Sequence, residues 1–73
     1  MEDLKAILAE NVKTYRECKH LTQAQLAEKL NYSRDYINKI ENEKYTPSLA
    51  IYYIAKELGV KVEQLFAENR LPI

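Results

Sequence analysis

The sequence is poor in the residues that stabilise secreted or metal-bound small domains. Its 73 residues include one cysteine, one histidine, one glycine, two prolines and no tryptophan. A single cysteine excludes an internal disulfide, and without a Cys/His cluster of zinc-ligand spacing we expect no metal. No apolar run reaches the length of a signal peptide or a membrane span. We therefore expect a cytoplasmic protein that binds no membrane, with Cys18 packed as a small apolar residue.

Catalytic signatures are also missing. The sequence offers no nucleophile paired with a base and no glycine-rich loop that could hold a phosphate. His20 falls in a turn without a visible catalytic partner, and we interpret it as a surface residue. We expect no enzyme activity and no cofactor. Because no further domain follows the predicted helices, we also expect no small-molecule ligand.

An excess of charge of one sign is absent as well. Eleven basic and eleven acidic residues cancel, and the pI of about 6.6 indicates no global attraction to phosphate. Residues 11–45 carry seven Lys or Arg against five acids, so any anion-binding surface must be local. A chain of this length buries about 60% of its unfolded surface, which predicts one domain over residues 1–73.

What is present is helical periodicity. Apolar residues recur three or four positions apart without strand-like alternation, which predicts an all-α protein of five short helices. The first covers about residues 3–18, with Asp3 as its N-cap. The second is opened by a capping box at Thr22 and runs through Leu30. Ser33 caps the third helix.

The last two helices have weaker signals. A Thr46 cap with Pro47 at the first helical position predicts the start of the fourth helix, and Gly59 predicts its end. The short fifth helix contains Val62, Leu65 and Phe66.

The third helix has a narrow apolar side and a polar side. Ile37 and Ile40 lie on the apolar side. Residues 31–33 are the whole link to the second helix, so the two helices must cross steeply. In that geometry the later helix can enter the major groove of DNA. The polar side contains Arg34, Asp35, Asn38, Lys39 and Asn42.

Two interpretations of this polar side stay open at this point. In a small helical bundle it would merely be solvated. In a DNA-binding protein, Arg34 can donate two hydrogen bonds to guanine, Asp35 can accept a hydrogen bond from cytosine, and Asn38 can form two hydrogen bonds with adenine. The helix start at Thr22 and Gln23 adds free backbone N–H groups and an amide where a phosphate could bind.

Several motifs occur together at defined spacings, namely TQxxLA, S-x-x-x-I-x-x-I-E, P-S-L and ELGV. They lie in LTQAQLAEKLNYSRDYINKIENEKYTPSL, preceded by NVKTYR and followed by KELGVKVEQLF. With them, residues 8–66 resemble the phage repressor/Cro-type helix-turn-helix (XRE) family. The resemblance implies a compact five-helix, lambda-repressor-like DNA-binding domain with its helix-turn-helix in helices 2 and 3, usually from a dimeric regulator. Residues 67–73 are then a short tail.

The resemblance assigns DNA contacts residue by residue. It makes Gln23 and Ser33 phosphate contacts at the starts of helices 2 and 3. It makes Asn42 and Lys44 contacts to the adjacent DNA backbone. The base readers that it implies are Arg34, Asp35, Tyr36 and Lys39.

The resemblance also implies structural roles. Arg16 and Glu41 would form a largely buried salt bridge between the first and third helices. Each lies at the margin of an apolar stripe on helices that must pack together, which supports the same pairing. Ala27 is the small residue that would let helices 2 and 3 approach.

The chain departs from the family pattern at four places. Asn31 and Glu43 stand where the family often has glycine, and glutamate is strained in a left-handed conformation, so the corner after the third helix is expected to differ. The spacing over residues 47–58 is one residue shorter than in many relatives. Lys61 stands where a capping Ser or Thr is common.

Five of the six tyrosines lie between residues 32 and 53. We expect Tyr32 and Tyr52 to pack inside and Tyr36 and Tyr45 to lie at the DNA surface. Tyr53 is predicted to be exposed, and the sequence IYY around it is a candidate interaction patch.

The fifth helix and the tail are predicted to join two copies of the chain. Their apolar residues exceed what half a helix at a domain edge can hide, so a second copy would cover them. The predicted interface residues are Val62, Leu65, Phe66, Leu71 and Ile73.

These observations predict a sequence-specific regulator of double-stranded DNA, a repressor acting as a homodimer on a two-fold symmetric operator. The alternative is an antitoxin or adaptor whose main role is to bind a protein partner, with DNA binding serving autoregulation. The short tail leaves little room for the extra segment that such a partner would require.

Overall fold

Five α-helices follow one another in the computed structural model, which describes residues 3–68. They are α1 (Leu4–Cys18), α2 (Gln23–Leu30), α3 (Arg34–Glu41), α4 (Leu49–Leu58) and α5 (Val62–Leu65). Residues 3–68 contain no strand, and the all-α prediction is confirmed. No helix in this part of the chain has the length and apolar character needed to cross a membrane.

Short-range hydrogen bonds explain where the first three helices begin. Asp3 accepts from a backbone N–H of the first turn of α1 at 3.1 Å. Thr22 Oγ1 accepts from the Gln25 N–H at 3.0 Å, and Gln25 Oε1 accepts from the Thr22 N–H at 2.8 Å. Ser33 Oγ accepts from the Tyr36 N–H at 3.1 Å. These caps confirm the three predicted helix starts.

The fourth helix begins later than predicted. Its first residue is Leu49, and its N-cap is Ser48. The φ and ψ of Ser48, −105° and −71°, lie outside the extended region from which an N-cap side chain reaches the first turn, and its hydroxyl makes no capping bond. The prediction of Thr46 as cap and Pro47 as first helical residue is wrong, because the Pro47 ring is buried ahead of the helix.

Each of the four longer helices is followed by a residue in the left-handed conformation. His20, Asn31, Glu43 and Gly59 have φ values of 59°, 63°, 62° and 74°. The helix end expected at Asn31 and the exposed turn expected at His20 are confirmed. Glu43 keeps the left-handed corner although its Cβ makes that conformation cost about 1–2 kcal/mol.

The apolar sides of the helices meet in one core. Helices α2 and α3 pack against each other, α1 contacts α3, α4 and α5, and α4 also contacts α2 and α5. Eight large apolar side chains are almost completely removed from solvent, which supplies most of the driving force for folding. They are Leu8, Val12, Leu26, Ile37, Ile40, Ile54, Leu58 and Leu65.

A buried polar side chain joins α1 to α5. Asn11 Nδ2 lies 3.3, 2.8 and 2.8 Å from the carbonyl oxygens of Gln64, Leu65 and Ala67. Carbonyls at the end of a helix lack a partner within it. The Asn11 amide bonds to those of Leu65 and Ala67 and shares the Gln64 carbonyl with the Ala67 backbone N–H. The sequence did not reveal this role, because the three carbonyls lie more than fifty residues away along the chain.

The structure corrects the predicted interface at the fifth helix. Leu65 is fully buried and cannot contact a second copy. Phe66 is half-buried against the core, while Val62 is exposed. Leu65 faces inward because α5 packs on both α1 and α4. Leu71 and Ile73, the other two predicted interface residues, lie outside the described residues.

Two further expectations about burial are wrong. Cys18 is exposed at the last turn of α1. Tyr52 is 54% exposed, because it lies on the outer side of α4 with Tyr53, which is exposed as predicted. Tyr32 packs against the core as predicted.

Candidate nucleic-acid interface

Helices α2 and α3 form a helix-turn-helix. Residues 31–33 are the only link between them, and the left-handed Asn31 makes the turn. The Tyr32 N–H then donates to the Ala27 carbonyl at 2.9 Å. Ala27, the predicted small contact residue, is buried.

One side of α3 faces solvent along its whole length. Arg34, Asp35, Lys39 and Asn42 are exposed on this side, opposite the buried isoleucines of the helix. Lys39 Nζ lies 3.3 Å from Asp35 Oδ2, and both side chains are more than half exposed. An exposed pair one turn apart contributes less than about 1 kcal/mol. A base edge or a phosphate can therefore separate Lys39 from Asp35 at little cost.

One flank of this exposed side carries a chain of amides. Asn38 is half-buried, and its Nδ2 donates to Gln23 Oε1 at 3.1 Å. Gln23 Nε2 in turn donates to Glu41 Oε1 at 3.0 Å. The structure thus brings Gln23, the predicted phosphate contact, into direct contact with Asn38, the predicted base reader.

The amide chain ends at a buried ion pair. Arg16 Nε donates to Glu41 Oε2 at 2.7 Å, and Arg16 Nη2 donates to Glu41 Oε1 at 3.0 Å. The side chains of Arg16 and Glu41 are 9% and 3% exposed. Arg16 Nη1 also donates to the Leu21 carbonyl at 2.6 Å. The hydrogen bond with Glu41 raises the pKa of Arg16 above its ordinary value, which favours the charged guanidinium.

The other flank of the exposed side is aromatic. The half-buried ring of Tyr36 lies 4.9 Å from the ring of Tyr32 and 5.4 Å from the ring of Tyr45, measured between centroids. An open cleft beside these rings is lined by Tyr36, Tyr45, Lys39 and Lys44. Burial raises the pKa of Tyr36 to about 12, with hydrogen bonding to Tyr45 as the next cause. Tyr36 is therefore a neutral phenol at any physiological pH.

The candidate backbone contacts lie at the ends of the two helices. Thr22 and Ser33 are exposed, and their hydroxyl oxygens accept bonds from the first turns, so each hydroxyl hydrogen can still donate to a phosphate. Lys44 is exposed just past α3. Asn42 Nδ2 donates to the backbone carbonyl of Asn38 at 2.9 Å.

Two features of this surface were not found from the sequence. The Gln23–Asn38 contact joins side chains fifteen residues apart on different helices, and no local pattern signals it. The position of Tyr45 against Tyr36 depends on the left-handed corner at Glu43, for which the sequence favoured a different course. Within residues 3–68, no group of three His, Cys, Asp or Glu side chains is placed to hold a metal ion.

Comparison with known families and proteins gives consistent matches. The family model HTH_3, described as helix-turn-helix, matches residues 12–65. The immunity repressor protein of Bacillus phage phi105 is 40% identical over 65 residues, which are 88% of this chain and 45% of the repressor. The chain therefore spans less than half of that protein's length.

Two other relatives are matched over most of their length. The control protein C.SmaI of Serratia marcescens is 39% identical over 70 residues, which are 94% of this chain and 83% of that protein. An uncharacterized HTH-type transcriptional regulator of Methanocaldococcus jannaschii is 50% identical over 56 residues, which are 75% of this chain and 85% of that protein.

Solved structures match the same architecture. The hypothetical transcription factor NHTF from Neisseria superimposes with a TM-score of 0.84 at 33% identity, covering 89% of this chain and 76% of that chain. The clp gene regulator ClgR from Corynebacterium glutamicum superimposes with a TM-score of 0.81 at 23% identity, covering 88% and 69%. The second match shows the fold alone.

Proposed function

Because the chain belongs to the HTH_3 helix-turn-helix family of transcriptional regulators, we propose that it binds double-stranded DNA sequence-specifically and represses transcription. The observation that carries the proposal is the exposed polar side of α3, held against α2 by a three-residue link. A helix presented in this way can lie in the major groove. The names of two relatives, an immunity repressor and a control protein, support regulation as the outcome. The protein acts in the cytoplasm without catalysis or cofactor.

The proposed DNA contacts divide into base readers on α3 and contacts to the DNA backbone at the helix ends. The backbone contacts are Thr22 and Ser33 at helix starts, with Asn42 and Lys44 past the end of α3. Their positions before the first turns of α2 and α3 and past the last turn of α3 suit contacts to the DNA strands that flank a groove. The base readers are Arg34, Asp35, Tyr36, Asn38 and Lys39.

We infer that two copies bind together on a two-fold symmetric operator. The outer side of α4 supports this, because Leu49, Tyr52 and Tyr53 are all exposed there. An open groove continues this surface to α5. Its apolar lining includes Tyr52, Val60 and Val62, and its charged lining consists of Lys56, Lys61 and Glu63. Two linked recognition helices also gain avidity that one domain with zero net charge lacks. Half-site centres should lie about 10 base pairs, or ~34 Å, apart.

Selection from randomised duplex DNA at low salt tests the proposal. We expect one two-fold symmetric motif, whose affinity falls with salt as phosphate contacts are lost. The same apolar side of α4 would also suit a protein adaptor. Failure to enrich any motif would overturn the regulator and favour that adaptor role.

Two variants separate the proposed contact classes on the selected operator. Arg34→Ala should cost ~1–3 kcal/mol of binding free energy at one base pair and relax the preference there. Lys44→Ala should weaken binding to all sequences alike and reduce the slope of log affinity against log salt by about one. An equal loss on operator and random DNA for Arg34→Ala would contradict its base-reading role.

A further inference from the structure

We propose that Gln23 is a positioning residue, which holds the Asn38 amide so that its oxygen reads the major-groove amino group of an adenine or a cytosine. The inference rests on the proposed DNA-binding function and deepens it. It replaces the phosphate contact expected for Gln23 from the family resemblance.

The orientation of the Gln23 amide is determined by Glu41. Arg16 donates to both oxygens of the Glu41 carboxylate, so both oxygens act as hydrogen-bond acceptors. Gln23 lies 3.0 Å from Glu41 Oε1. Only the Nε2 end of the Gln23 amide can donate a hydrogen bond there. The oxygen Oε1 of Gln23 must then point away from Glu41.

The same logic determines the orientation of the Asn38 amide. Gln23 Oε1 is an acceptor, and Asn38 lies 3.1 Å from it. An Asn38 amide turned by 180° would place two oxygens against each other and leave a half-buried group unpaired, which costs free energy. Asn38 therefore donates one N–H of Nδ2 to Gln23. Its Oδ1 and its second N–H stay available.

The available atoms of Asn38 match one chemical class of base edge. In the major groove, adenine N6 and cytosine N4 carry donor hydrogens, whereas guanine O6 and thymine O4 are acceptors. Asn38 Oδ1 can accept from the amino group, and its second N–H can reach adenine N7. A guanine at the same place would set its O6 against Oδ1.

The neighbouring turn reinforces this preference. Asn42 Nδ2 donates to the backbone carbonyl of Asn38 at 2.9 Å, which directs the Asn42 oxygen away from the helix backbone. Asp35 adds a third acceptor on the exposed side of α3. Lys39 on the same side is paired with Asp35, which leaves the amide oxygens of Asn38 and Asn42 as the unpaired acceptors that can read amino groups.

The Gln23→Met variant tests the positioning role, because methionine has nearly the same shape and no amide. The measured quantity is the ratio of affinities for operators that differ by one base pair. We expect the preference for an amino-bearing base over guanine or thymine to fall at one position, from about 5–100-fold toward unity. Thermal unfolding of Gln23→Met checks that the fold is intact. Preferences that all persist with a uniform loss of affinity would instead support a phosphate contact.

Lys44→Met is the matched control for a phosphate contact. It should weaken all operators alike and leave every base preference in place, with a smaller salt slope. A change of base preference in Lys44→Met equal to that in Gln23→Met would contradict the specific role of Gln23.

A second measurement uses the wild-type protein and altered DNA, so it does not depend on the folding of Gln23→Met. Replacing adenine by 2-aminopurine moves the amino group out of the major groove, and N4-methylcytosine blocks the corresponding hydrogen of cytosine. One of the two, at one position, should reduce wild-type affinity about 5–100-fold and leave Asn38→Ala unaffected. The analogue that acts identifies the base.

The outcomes distinguish the two levels of the proposal. If the wild-type protein selects no DNA sequence, the proposed function is wrong. A wild type that selects a motif, but tolerates both analogues at every position, overturns the role of Gln23 and Asn38 while the proposed function stands.

Discussion

The carboxylate of Glu41 is the side chain on which most of the interface geometry depends. It accepts two bonds from Arg16 and one from Gln23, and it is almost completely buried. A buried pair contributes little more than apolar side chains of equal volume, but a buried charge left alone is costly. The pair therefore serves to position α1 against α3 more than to stabilise the fold.

Loss of one partner of the Arg16–Glu41 pair should destabilise the fold more than loss of both. Arg16→Met should lower the free energy of unfolding by ~3–5 kcal/mol, because Glu41 is left charged and buried. The double variant Arg16→Met/Glu41→Leu should lose much less, because no buried charge remains and only the Leu21 carbonyl and the Gln23 amide lose these partners. Denaturant unfolding of both single variants and the double variant measures the coupling. Additive losses below about 1 kcal/mol each would indicate an unimportant surface pair.

Tyr36 gives a prediction of pH dependence. Burial raises the pKa of Tyr36 from 10.0 to about 12, so the unfolded chain loses this proton at lower pH than the folded chain. The contribution to stability is complete below pH 10 and is lost as the pH rises to 12. Denaturant unfolding across this range should show a steeper decline for wild type than for Tyr36→Phe. Equal slopes would contradict the raised pKa.

At the scale of elements, α5 depends on its neighbours. A helix of four residues has no stability of its own in water. Burial of Leu65 and the three carbonyls bound by Asn11 hold α5 on α1. The N-terminus of α2, by contrast, has a complete capping box and needs less help from tertiary contacts.

The prediction for α5 concerns the Asn11 amide. Asn11→Leu should lower the free energy of unfolding by ~1–3 kcal/mol, because the Leu65 and Ala67 carbonyls, at and just past the end of α5, lose their side-chain donor. Amide hydrogen exchange at Leu65 and Phe66 should accelerate more than exchange in α2. Glu10→Leu, at the exposed neighbouring position, is the control and should change neither quantity appreciably. Unchanged exchange in Asn11→Leu would mean that packing alone holds α5.

At the scale of the whole molecule, α4 is the most apolar helix. It has apolar side chains on its solvent-facing side as well as on the side that packs in the core. Helix α4 buries five residues and still exposes Leu49, Tyr52 and Tyr53. A surface helix of a monomer normally has a polar outer side. Zero net charge also leaves a single domain without strong attraction to DNA. Both facts support a dimer as the binding unit.

Sedimentation across micromolar concentrations tests the dimer. Wild type should dimerise, and Tyr52→Glu/Val62→Glu should remain monomeric because two charges enter the proposed contact. The double variant should keep its thermal stability, since both side chains are exposed. Glu63→Gln in the same region is a control. A wild type that stays monomeric to ~100 μM, yet binds one half-site as tightly as a specific repressor binds its operator, would contradict the dimer.

Residues in the middle of a helix face could be assigned as exposed or buried from the sequence, and others could not. The exposed side of α3 and the inward isoleucines were predicted from periodicity, because a helix places residues three and four apart on one side. The exposure of Cys18 was not predicted, because Cys18 lies at the edge of an apolar stripe, and that of Tyr52 was not predicted, because the outer side of α4 is itself apolar. At an edge, small rotations of the helix against its neighbours decide burial.

Helices whose ends are set by residues within four positions of each other could be predicted from the sequence. The capping box of Thr22 and Gln25, the Ser33 cap and the left-handed Asn31 are of this kind. The burial of Leu65, the bonds from Asn11 to α5, and the contacts of Gln23 with Asn38 and Glu41 depend on how the helices pack. Those contacts join residues 15 to 56 positions apart. Their existence depends on how whole helices pack, which no local propensity specifies.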